Sequence, residues 1–206
     1  MVDANKATAG NGVPAKPVKR VGLSGFFYQR SSLLLAVLLT AVFGGYLLFV
    51  SIPQSASFAA PGSGPQSLGT SIGFDSSDVL AFLASRTEDM ILGYIASNQI
   101  WDTLFALIYG VMYVVWLSVL FKPFAQRVAW LNLLPFGQVV FDWLENFALA
   151  SLSSQYLADG VVSSSLAQLA SVSAMIKWVF SGVVTLSIAV GIVARVIRAI
   201  KNRKRP

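Results

Sequence analysis

Asp142, Glu145 and Asn146 stand in the stretch FDWLENFALA, a run that is otherwise apolar and aromatic. Side chains three residues apart share one face of a helix, an arrangement that suits general acid and base work, cation binding or a buried ion pair. Pro135 and Gln138 extend that face at spacings of three and four, so one polar stripe runs along the segment. Two more charges fall in apolar runs: Lys177, followed by Ser181 and Thr185, and Asp102, followed by Ala106, Tyr109 and Tyr113. A charge facing lipid costs about 2.5 kcal/mol on insertion scales and more in simulations, so the three stripes should face one another. Pairing Lys177 with Asp142 or Glu145 is the economical solution, and Asn146 supplies donors and an acceptor for what remains. Three acids then meet one base. The surplus calls for a proton, water, a bound cation, or an Arg or Lys from a partner.

The chemistry open to this cluster is narrowed by what the chain lacks. Its 206 residues include no cysteine and no histidine, so disulfides, thiolate sites and the commonest general base and metal ligand are all absent. Oxygen ligands from Asp102, Asp142, Glu145 and Asn146 suit Ca²⁺ or Mg²⁺, yet no recognised loop motif accompanies them, so metal and cofactor stay unassigned. No activated nucleophile stands beside the acids, and no residue is assigned as catalytic.

The elements that carry these residues are read from hydropathy. Hydrophobic residues make up 55% of the chain and charged residues 12%, with a mean hydropathy of +0.68, which marks an integral membrane protein. The pattern predicts an all-α membrane four-helix bundle with spans at 32–52, 100–121, 128–149 and 174–197, each of about 20 residues and so about 30 Å long. Residues 1–30 read as a disordered basic tail, 31–198 as the membrane domain and 199–206 as a second basic tail. Between the first two spans, 53–99 reads as a Pro, Gly and Ser loop followed by one amphipathic helix near 78–96, capped by Ser76, Ser77 or Asp78. Pro135 is expected to kink the third span. Gly44, Gly45, Gly182 and Gly191 are expected to let helices approach closely.

Orientation follows from counting Lys and Arg. The N-terminal tail, the loop with Lys122 and Arg127, and the C-terminal run from Arg195 to Arg205 hold nearly all of them, whereas eight of the nine acids fall elsewhere. By the positive-inside rule both termini are cytoplasmic and the intervening helix is extracytoplasmic. Counting from residue 128 puts Asp142 about 21 Å and Glu145 about 25 Å up the third span, level with Lys177 and Asp102 near the outer face.

The stretch LPFGQVVFDWLENFAL, residues 134–149, resembles a signature of uncharacterised multi-span membrane proteins, in which Leu-Pro precedes Asp-x-x-Glu-Asn. The resemblance implies that Pro135, Asp142, Glu145 and Asn146 act as a unit, and it implies no activity. Taken together, the residues suggest a non-catalytic accessory or assembly subunit of a membrane complex. In that reading the acidic cluster and the amphipathic helix dock a protein partner, with the lipid bilayer as the constant partner. The alternative is a small cation- or proton-coupled transporter or channel subunit in which Asp142 and Glu145 carry the ion. Nucleic acid is not an expected partner.

Overall fold

The computed structural model describes residues 22–60, 67–124 and 127–203. These are 86% helical and contain no strand, in keeping with an all-α class. The helices are α1 (Leu23–Arg30), α2 (Leu33–Ala56), α3 (Ser76–Ala84), α4 (Glu88–Phe124), α5 (Leu134–Asp159) and α6 (Ser164–Arg203). Of these, α2, α4 and α6 are long and apolar enough to cross a membrane. With 26 residues, α5 measures about 39 Å and so has the length as well, but it bears the buried acids.

Local signals place most helix ends. Ser32 caps α2 by accepting from the Leu35 N–H, and Thr87 caps α4 by accepting from that of Met90. Asp75 caps α3 and forms a reciprocal capping box with Asp78, one residue ahead of the cap expected from the sequence. Gly160, with φ of 69°, turns the chain out of α5 in the left-handed conformation that glycine adopts without penalty.

Several boundaries differ from the expected ones. Residues 23–30 of the expected tail form α1, which buries Tyr28 and hydrogen-bonds its hydroxyl to the Val128 carbonyl; residues 1–21 lie outside the described residues. The single amphipathic helix is two helices, broken at 85–87, and the second runs straight into the span expected at 100–121 as one helix, α4. The third helix begins at Leu134, because 128–133 form turns and a 3₁₀ segment, and it extends to Asp159. Pro135 therefore sits in the first turn, where its missing N–H removes no helical hydrogen bond, and it kinks nothing. At the other end, α6 continues to Arg203 through much of the expected second tail.

Two ends of the assembly differ in character. At one end, α3 and the start of α4 bury Val79, Phe82, Leu83, Ile91 and Tyr94 against Leu149 and Leu152 of α5 and Ala167 and Ala170 of α6, forming a cap with its own core. This cap carries Asp75, Asp78, Glu88 and Asp89. At the other end Tyr28, Leu117, Leu120, Phe121 and Val184 pack together, and Asn132 is fully buried, donating to Ser118 and to the Ser24 carbonyl. Basic residues gather there: Lys122 donates to the Ser31 carbonyl, Arg195 to those of Val119 and Leu120, and Arg198 lies over Phe124.

Close helix contacts rest on glycines other than most of those expected. A Cβ on Gly110 would collide with a methyl of Val139, and one on Gly191 would lie 2.9 Å from Leu120 Cβ, whereas Gly44, Gly45 and Gly182 have nothing within 4 Å. Gly110→Ala is therefore expected to lower the thermal unfolding temperature of the detergent-solubilised protein by overpacking the α4–α5 contact, at a cost of about 1–3 kcal/mol. Gly182→Ala should leave it unchanged or raise it, because alanine is the better helix former by about 1 kcal/mol. A second expectation concerns pH. The Ser77 hydroxyl and the Asp78 and Ser77 N–H groups hold the Asp75 carboxyl below its ordinary range. A depressed carboxyl stabilises above its unfolded pKa, and the effect disappears as pH falls through the folded value. Amide exchange over 76–84, corrected for intrinsic rates, should accelerate on acidification below about pH 4, and this acid response should be absent in Asp75→Asn.

Candidate functional site

The polar stripe of α5 is buried along its whole length: Pro135, Gln138, Asp142, Glu145 and Asn146 are all shielded, and Glu145 is 0% exposed. Because α5 starts at Leu134, Asp142 lies about 12 Å and Glu145 about 16 Å along it, nearer its middle than its outer end. The acids are correspondingly harder to solvate than the sequence count implied. Their solvent is a lysine. Lys177 Nζ on α6 stands 3.0 Å from Asp142 Oδ1 and 2.6 Å from Glu145 Oε2, and it donates to the Gly69 carbonyl at 3.2 Å. An ammonium has three N–H donors, and here each has an oxygen. The second Asp142 oxygen accepts from the Tyr109 hydroxyl on α4 at 2.9 Å.

Sequence reasoning placed Asp102, Tyr109, Gln138, Asp142, Glu145, Asn146 and Lys177 in one group. The structure brings them together, but in two parts. Asp142, Glu145, Lys177 and Tyr109 form a closed ionic knot. Asp102 stands beside Asn146 and, among the described residues, takes part in no ion pair. It opens instead onto a cavity of about 350 Å³ between α2, α4, α5 and α6, whose wall also includes Asp142, Lys177 and Gln138. The aromatic side of this cavity is supplied by Phe43, Trp101, Phe105, Tyr109 and Tyr113.

Three features of the site left no mark in the sequence. Gly69, in a 3₁₀ turn over Leu68–Thr70, covers the knot so closely that a Cβ there would meet Glu145 Oε1 at 3.0 Å. Both α2 and α4 are interrupted by a π turn, at Leu47–Ser51 and Ser97–Asp102, and the two turns pack against each other beside the cavity. A π turn inserts one residue into a helix and rotates the face presented by the turns beyond it, and such turns are frequent at functional sites. Asp102 is the last residue of the second one. Buried atoms without a hydrogen-bond partner lie here too, among them Gln138 Oε1 and Glu145 Oε1.

The donor set does not suit a divalent metal, since the described residues contain no group of three or more acidic side chains placed to hold one. Asp142 and Glu145 direct their oxygens to Lys177, which leaves Asp102 as the carboxylate able to receive a cation. Removing the lysine should expose how much the knot matters. Lys177→Met leaves two carboxylates buried together and is expected to cost about 3–5 kcal/mol, whereas Lys177→Met combined with Glu145→Gln should recover part of that loss. Thermal unfolding in detergent, with the two variants compared, measures both.

Set against protein-family models, characterised proteins and solved structures, the chain matches no family model, no curated protein and no solved structure.

Proposed function

We propose that the chain is a membrane protein crossing the bilayer four times, with both termini on the cytoplasmic side, that takes up a cation in the cavity beside Asp102. Three helices suited to crossing a membrane support the first part, with α5 as the fourth crossing. The segregation of basic residues to one end and acids to the capped end supports the orientation, by the same positive-inside argument.

The observation that carries the functional part is the Asp102 carboxylate, which lines the cavity with no ion-pair partner among the described residues while the neighbouring acids are committed to Lys177. A carboxylate held at membrane depth without a cation is expensive, and ionisable groups kept in that position characteristically mark ion or substrate pathways. Asp102, Asp142 and Glu145 stand against a single ammonium, and this excess of acids over bases suits a positive occupant. Asp142 and Glu145 then act as the scaffold of the site, and Asp102 as its receiving group.

The accessory-subunit reading draws less support. It needs the acids and the amphipathic helix on the surface, but Asp142 and Glu145 are buried and the apolar face of α3 is packed against α6.

The test is uptake of monovalent cations into proteoliposomes, together with cation-dependent shifts in thermal unfolding. Wild type should show both, and Asp102→Asn should reduce uptake by about tenfold or more while unfolding at a similar temperature in the absence of cation, since each 1.4 kcal/mol of lost attraction is a factor of ten. Wild-type liposomes with neither uptake nor a cation-dependent shift would sink the proposal.

A further inference from the structure

We propose that the occupant of the cavity is an organic ammonium ion with an apolar tail, its charged head at Asp102 and its tail lying along an aromatic track on α4. This rests on the cation reading and names the chemical class. The head site is defined by Asp102 at the end of its π turn. Below it, Phe105, Tyr109 and Tyr113 succeed one another at spacings of three and four, so they line one face of α4 over about 16 Å from Asp102. The rings form a continuous series: Phe43 stacks on Phe105 at 5.3 Å, Phe105 meets Tyr109 edge-on at 5.6 Å, and Tyr109 meets Tyr113 at 6.0 Å.

Aromatic faces next to a carboxylate are the chemistry by which proteins hold organic ammonium groups, through the ring quadrupole and the ion pair together. Hydroxyls such as those of Ser51, Ser97 and Ser181 also line the wall, so an inorganic cation has oxygens to meet. What favours an ammonium with a tail is the aromatic series that leads away from the one carboxylate of the site not paired with Lys177. At about 350 Å³ the cavity falls within the range of small-molecule pockets, which are mainly apolar with a few convergent polar groups. Its wall also holds Gln138 Oε1, a buried acceptor with no partner, which offers a hydrogen bond to an N–H or O–H carried on the ligand's tail. The Lys177 ammonium does not repel the head, since two carboxylates enclose it.

Isothermal titration of the full chain in lipid nanodiscs tests this, with empty nanodiscs titrated in parallel to remove partitioning into lipid. The probes are hexylammonium, neutral hexanol, tetramethylammonium and potassium. Hexylammonium is expected to bind saturably and at least about tenfold more tightly than any of the others, which is a difference of about 1.4 kcal/mol. Asp102→Asn should weaken it by a further tenfold or more, and Phe105→Leu should weaken hexylammonium while leaving potassium unchanged. Equal binding of hexanol, or full binding to Asp102→Asn, would overturn the assignment of the head site. Saturable potassium binding that depends on Asp102, without preference for hexylammonium, would overturn the ammonium class and leave the cation reading standing. No saturable binding of any probe would overturn both.

Discussion

The protein is organised around one ammonium group. Lys177 carries its charge in an apolar helix, and the oxygens that stabilise it come from two other elements: Asp142 and Glu145 from α5, and the Gly69 carbonyl from the turn after α2. The attraction is strong because water is scarce, and for the same reason loss of the lysine strands two carboxylates together. The contact therefore fixes more than two helices. It sets the rotation of α5, which in turn directs Gln138 toward the cavity and Val139 against Gly110 of α4. It also ties the cap to the helices below it, because the turn that supplies Gly69 also buries Leu68 in the cap core.

Around this knot the helices are not uniform rods. The π turns of α2 and α4 pack against each other beside the cavity, and the two helices stay in contact further along, where Trp116 donates to Thr40 and Phe43 stacks on Phe105. The cavity lies beside this backbone irregularity, and Asp102 stands where the second π turn ends.

Much of this was legible in the sequence because buried charge is costly. The expense of Asp102, Asp142, Glu145 and Lys177 in apolar runs, combined with helical spacing, is enough to group them with Tyr109, Gln138 and Asn146. Hydropathy likewise locates the apolar cores of the long helices. The features that could not be read are set by tertiary context. Pro135 is compatible with either a kink or a first turn, and the choice depends on where the chain before it folds. The join between the amphipathic segment and the second span carries no breaker, so the helix continues through it. The π turns have no sequence signature, and nothing local marks Gly110, whose role depends on Val139, a residue remote in the chain.

The connection between α5 and α6 bears on the four-span reading proposed above. Only 160–163 separate the two helices, and they run antiparallel with their charges meeting across the contact. Alone, α5 would carry two acids into lipid and α6 one base, at about 2.5–3.5 kcal/mol for each charge at the centre. Folded against each other first, the ammonium of α6 offsets one of the two carboxylates of α5. For the four-span protein proposed above, the unit that partitions is then the helical hairpin, with insertion of either helix coupled to that of the other.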